Sequence, residues 1–193
     1  MSIPSEREKM VGGQLYDPMD PQLIADRLRA CMLCYEFNNL PPGAIARATA
    51  ILEELMDAHE SVTINAPFRC DYGYNIHIGR NTFLNYDCVI LDIAAVKIGS
   101  NVLLGPGVHV YGATHPMNAA ERYKGIESGK AISIEDHVWV GGRAVICPGV
   151  TIGAGSVIGA GSVVTRNIPA SVFAAGNPCR VIRTLEAGTE EAL

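Results

Sequence analysis

A chain of 193 residues, 48% hydrophobic and 18% charged, is long enough for one cored domain and too apolar for intrinsic disorder. A net charge of −5 with no polybasic tract excludes a general nucleic-acid binder, which has to neutralise phosphates. Twenty glycines beside an aromatic content of 6% favour tight turns and aliphatic stacking. The first residues carry no apolar signal segment and no apolar run approaches a membrane span, so a cytoplasmic protein without membrane contact is expected.

Residues 1–60 have the spacing of a helical cap. Asp20 and Pro21 supply an N-cap and a proline at the first helical position, and Leu23, Ile24, Leu28, Cys31, Met32 and Tyr35 recur at intervals near 3.6. Pro41-Pro42-Gly43 interrupts, and a further helix over 44–58 presents Ile45, Ala48, Ile51, Leu52 and Leu55 on one face. Cys31 and Cys34 form a C-x-x-C inside the first of these helices. No strand precedes it, as a redox turn requires, and two further zinc ligands would be needed, so free thiols are expected for the six cysteines.

From residue 61 the period changes to six. Ile134, Val140, Ile146, Ile152, Ile158 and Val164 follow one another without a miss. Upstream, Ile78, Leu84 and Ile90 keep the same step, as do Ile98, Leu104 and Val110 after a two-residue slip. A hexad is one short strand plus a turn, and three hexads close one triangular coil whose aliphatic residues stack on the next coil. The fold class expected is mainly β: a left-handed parallel β-helix over 61–185, with residues 186–193 as a loose tail. The period fails over 111–133, a polar stretch that must leave the prism as one long loop and that contains Thr114-His115-Pro116.

The chain resembles the maltose and galactoside O-acetyltransferase branch of the hexapeptide-repeat acyltransferases. The likeness runs through residues 8–17, Arg27-Leu28-Arg29 and 35–38 in the cap. It continues through 73–81, Asn85, Leu91-Asp92 and 114–116, then 138–142, 148–153, 158–166 and 175–183. It implies an acetyltransferase that moves an acetyl group from acetyl-CoA to a sugar hydroxyl, glucose- or maltose-like or a galactoside, directly within a ternary complex and with no required metal. It also implies a homotrimer with active sites at the subunit clefts.

Acetyl transfer to an alcohol needs a base near neutral pKa, and among the five histidines His115 alone opens the irregular segment. A loop histidine taken alone is more often structural or merely solvated; the resemblance implies catalysis. It further implies acceptor contacts at Asp17, Asn85 and Asp92, and cofactor contacts at Gly142, Ala160, Thr165, Arg166, Arg180 and Arg183. Asparagine at a β-helix turn also suits a left-handed backbone, and two arginines three apart also suit a solvated face. The Gly142 amide is a geometric candidate for stabilising the oxyanion. Trp139, the sole tryptophan, falls at an outward position and suits a site wall or a subunit contact. Phe83, Ile93 and Glu127 depart from the galactoside enzymes, which leaves the acceptor open between a sugar and a xenobiotic or other small hydroxyl compound. A zinc enzyme of the β-helical carbonic anhydrase type, using His77, His109 and His115, is the remote alternative. An ice-binding module lacks its threonine ladders.

Overall fold

The computed structural model describes residues 3–186. Helix α1, Glu6–Val11, opens with a capping box in which Ser5 and Glu8 each accept from the other's backbone amide. Helix α2, Pro21–Asn38, starts where expected, with the Asp20 carboxylate accepting from the amides of Gln22 and Leu23. Helix α3, Ile45–Leu55, stops short of the sequence expectation because Asp57–Ala58 is recruited as the first strand of the β domain, pairing with His77–Ile78.

The buried side of α2 corrects the sequence reading. Ile24, Leu28, Met32 and Tyr35 are exposed, and Leu23, Ala30, Leu33, Cys34 and Phe37 are buried. Apolar residues occupy two sides of this helix, and periodicity alone does not choose between them. The docking partner does. The Asn38 amide brackets Phe68, donating to its carbonyl at 2.9 Å and accepting from its amide at 2.8 Å, which turns the Cys34 side inward.

The remainder is a parallel β-solenoid with three faces. The first holds Asp57–Ala58, Ile76–Ile78, Val96–Ile98, Ile132–Ile134 and Thr151–Ile152. The second holds Thr63–Ile64, Phe83–Leu84, Leu103–Leu104, Trp139–Val140, Val157–Ile158 and Val172–Ala175, and the antiparallel strand Arg180–Thr184 closes it. Phe68–Cys70, Cys88–Leu91, His109–Tyr111, Val145–Ile146 and Val163–Val164 make the third. Every hexad anchor from Ile78 to Val164 is buried. Each such side chain stabilises the prism by about 1.5–3 kcal/mol, and strands of two to four residues persist only because a neighbouring coil supplies that contact.

The corners differ. Where the first face turns into the second, and the second into the third, each coil uses six residues from anchor to anchor. From Ile78 onward a left-handed residue sits at each of these turns: Asn81, Asn101, His137, Gly155 and Ser171 at one corner, Asp87, Gly107, Arg143 and Gly161 at the other. At the third corner, between the third face and the next coil's first face, the spacing varies. Eight residues join Cys70 to Ile78 and Ile90 to Ile98, twenty-four join Val110 to Ile134, and six join Ile146 to Ile152. The long excursion is folded rather than plain loop. Ala113–Thr114 pairs antiparallel with Ser128–Gly129, and helix α4, Ala119–Arg122, is capped by the Asn118 side chain. Tyr111 and residues 132–133 remain in solenoid strands. Among the described residues no helix is long and apolar enough to cross a membrane.

Candidate active site

The third corner is held from within by Asp92. Its side chain is fully buried, and its carboxylate accepts from the amides of Asp71 at 3.1 Å, Tyr72 at 2.9 Å and Asn75 at 3.3 Å. Asn75 returns a bond to the Asp92 carbonyl at 2.6 Å. Burial raises the Asp92 carboxyl above its ordinary range, against the lowering effect of these amides. The corresponding sequence expectation needs correction: Asp92 has no surface with which to touch an acceptor. It shapes the segment 71–75 that does reach the surface. Gly73 completes that segment with φ +82 and no room for a side chain, since an added Cβ would lie 2.3 Å from the Leu55 carbonyl.

Above this corner lies a cavity of about 350 Å³ lined by the cap (Pro18, Met19, Arg27), the corner (Asp71, Tyr72, Leu91, Ile93) and the excursion (Ala113, His115, Glu127). His115 follows strand Ala113–Thr114 directly, so the antiparallel ladder fixes the imidazole at the cavity mouth, where it is exposed. Glu127 is fixed from the cap. Tyr16 and Glu127 exchange backbone hydrogen bonds at 3.0 and 3.1 Å, and the Tyr16 hydroxyl donates to the Glu127 carboxylate at 2.7 Å. Burial and that carboxylate keep the Tyr16 phenol far above its usual range, hence protonated and donating. Arg27 is committed to scaffolding, donating to the Tyr72 hydroxyl and to the Pro18 carbonyl, each at 2.7 Å.

Asp71 is the most perturbed carboxyl at this surface. Burial first, then the nearby charges of Asp92 and Glu127, push it up to about 6, with Arg27 partly offsetting them. Asp71, Tyr72, Tyr16 and Arg27 are site residues that sequence reasoning passed over. The eight-residue spacing at the third corner is a signal for Asp71 and Tyr72; Tyr16 and Arg27, in the cap, have no such mark in the sequence.

The other expected residues are distributed over the prism. Asp17 stands at the exposed rim beside Pro18, its carboxylate accepting from the Met19 amide at 2.8 Å. Asn85 lies at the second corner, outside this cavity, and accepts from its neighbour Tyr86 at 2.8 Å and from Asn65 at 3.4 Å. Gly142 and Ala160 share that second corner, stacked in adjacent coils, where the Gly161 amide donates to the Gly142 carbonyl at 2.9 Å. Thr165 and Arg166 are exposed at the third corner, two coils beyond the excursion. Arg180 and Arg183 lie on the closing strand, with Arg180 in register with Ala175 and Arg183 with Phe173. One chain therefore does not bring His115 and the pair Gly142 and Ala160 together. Trp139 points outward at 40% exposure, in a ladder with Leu103 and Val157. His77 pairs with Asp57 on the first face and His109 with the Tyr111 hydroxyl on the third, so neither faces His115.

A triangular solenoid with a helical cap and a histidine-bearing excursion defines the hexapeptide-repeat acyltransferase class. Residues 9–59 match the maltose acetyltransferase hexapeptide capping motif, and residues 131–166 match six repeats of the bacterial transferase hexapeptide. The structure resembles a maltose O-acetyltransferase from Clostridium difficile 630 with a TM-score of 0.93 and 44% identity, covering 96% of this chain and 100% of that one. It resembles a galactoside acetyltransferase in complex with coenzyme A (TM-score 0.87, 40% identity, 96% and 92% covered). A hexapeptide-repeat acetyltransferase from Vibrio cholerae O1 biovar eltor, complexed with acetyl coenzyme A, gives a TM-score of 0.88 at 38% identity, with 95% and 100% covered. The chain belongs to the maltose and galactoside O-acetyltransferase branch of this family, and it is an acetyltransferase.

Proposed function

We propose that the protein transfers the acetyl group of acetyl-CoA to a hydroxyl of a glucose- or maltose-like sugar or a galactoside, with His115 as general base. The observation that carries this reading is the placement of His115 on a cavity whose walls combine carboxylates with apolar side chains. A pyranose presents hydroxyls at its edge and C–H bonds on its faces. Asp71 and Glu127 offer acceptors to the hydroxyls, Asp17 adds one at the rim, and Leu91, Ile93 and Met19 offer surface to the ring face.

In the step itself the His115 imidazole takes the hydroxyl proton as the sugar oxygen bonds to the thioester carbonyl carbon. The tetrahedral intermediate then expels the thiol, which leaves with that proton. The Gly142 amide is the proposed donor to the oxyanion. Gly142 and Ala160 leave a narrow groove for pantetheine, and Thr165, Arg166, Arg180 and Arg183 meet the nucleotide phosphates.

The separation of His115 from Gly142 and Ala160 supports a site completed by a second subunit. So does the chemistry of the faces. Outward positions of the first face are Asp57, His77, Lys97, Ser133 and Thr151, which suit water. Those of the second are Thr63, Phe83, Leu103, Trp139, Val157 and Phe173, and those of the third are Arg69, Val89, His109, Val145 and Val163. A mostly apolar second face and a mixed third face on a three-sided rod fit a closed homotrimer, with Trp139 walling the cleft.

An acceptor screen with acetyl-CoA, following thiol release across mono-, di- and oligosaccharides and amino alcohols, tests the reading. Turnover highest with a sugar hydroxyl is expected. Turnover confined to non-sugar alcohols would overturn the sugar assignment.

A further inference from the structure

We infer that Cys34 and Cys70 form a dithiol modification site, at which a peroxide closes a disulfide between the cap and the first coil of the solenoid. Helix α2 and strand Phe68–Cys70 run past each other in step. Four residues of helix cover about 6 Å and two of strand about 6.6 Å, so the Asn38–Phe68 bracket sets the next pair of side chains opposite one another. That pair is Cys34 and Cys70, with Sγ atoms 3.8 Å apart. A disulfide needs about 2.05 Å, so the sulfurs must approach by less than 2 Å, within reach of small side-chain rotations.

The two thiols are unlike. The hydrogen bond from Cys70 holds Cys34 below the ordinary thiol range, and the same bond together with burial holds Cys70 well above it. The partner that matters to Cys34 is not Cys31, its neighbour in the C-x-x-C, which is exposed on the outer side of α2. The chemistry balances without a further reactant. One sulfur of the pair attacks one peroxide oxygen, the O–O bond breaks, and a sulfenic acid and water form. The other sulfur then displaces the hydroxyl as a second water, so two thiols lose two hydrogens and two electrons to one peroxide.

The test uses the full chain carrying Cys31→Ser, which removes the exposed neighbouring thiol. After brief exposure to hydrogen peroxide, alkylation and non-reducing digestion, mass spectrometry is expected to find the Cys34 and Cys70 peptides joined, two hydrogens lighter, and separated again by dithiothreitol. Phenylarsine oxide, which bridges paired thiols with loss of water, is expected to bind once per chain and to be lost in Cys34→Ser and in Cys70→Ser. Should either serine variant fail to fold, the peptide masses in the Cys31→Ser chain decide alone. Oxidation that yields only sulfinic or sulfonic acids, or a link to any other cysteine, would overturn the site. The readout is mass rather than turnover and does not depend on the acceptor.

Discussion

Two corners of this solenoid keep to six residues per turn, and the third does not. At the regular corners a left-handed residue and a buried aliphatic anchor recur coil after coil, from Asn81 to Ser171 and from Asp87 to Gly161. At the third corner the added residues carry polar groups. Two extra residues let Asp92 turn inward and hold the amides of 71–75, and eighteen more build the ladder that ends at His115. Regular hexads give the rod its stability, and departures from the period carry the candidate site. Each half of that contrast can be broken separately.

The largest expected effect is on chemistry at the irregular corner. His115→Ala should lower turnover by roughly 10² to 10⁴, the usual range for loss of a general base, while acetyl-CoA binding and thermal stability stay near wild type. Unchanged turnover would remove His115 from the mechanism.

A paired comparison of cores comes next. Ile152→Ala, in a regular coil, should cost about 2–5 kcal/mol in urea unfolding and leave kcat/KM intact below the melting temperature. Asp92→Ala leaves two buried amides and one half-buried amide without their acceptor and should cost about 3 kcal/mol or more. Unlike Ile152→Ala, it should also lower kcat/KM, because segment 71–75 loses its support. Full activity in Asp92→Ala would separate the bracket from the site.

Replacing Arg180 and Arg183 together by alanine should weaken coenzyme A binding by roughly tenfold and leave a phosphate-free pantetheine analogue unaffected, as measured by calorimetry. Equal weakening of both ligands would contradict the phosphate contact.

The smallest effect concerns Asp71. Its folded pKa of about 6 lies above the ordinary value of 3.8, so the folded state holds the proton more tightly than the unfolded one. Stability from this group is therefore greatest below about pH 4 and is lost as pH rises to about 6. Asp71→Asn should stabilise the protein by about 1 kcal/mol at pH 7.5, allowing for partial exposure, with the gap closing near pH 4 and acceptor KM rising. A stability difference independent of pH would show that the Asp71 carboxyl titrates normally in the fold.

The same contrast explains what was legible in the sequence. A hexad is a local rule, so Ile134 through Val164 declared the prism and its outward residues, Trp139 among them, before any coordinates. Helix α2 was legible from its cap and spacing and α3 from its spacing, because these signals are local too. Which side of α2 faces inward was not, since that depends on Asn38 finding Phe68 thirty residues away. His115 stood out because it breaks the period. Asp92 was visible as a polar residue in an aliphatic run, but its role was misread: an acid that contacts ligand and one that contacts backbone look alike until burial is known. Tyr16 and the cap's grip on Glu127 arise only when residues more than a hundred positions apart exchange hydrogen bonds, and the Asp71 environment only when Asp92, Glu127 and Arg27 are folded around it.

Subunit complementation tests most directly whether the histidine corner of one chain works with the groove of another. His115→Ala and Ala160→Trp, the latter filling the exposed groove position, should each be inactive alone. Unfolded together in equal amounts and refolded, they should regain about a quarter of wild-type activity, the share of mixed clefts that inherit both intact halves in a closed ring. No activity above that of the separate variants, in mixtures shown to contain hybrid oligomers, would place the whole site within one chain and contradict the account.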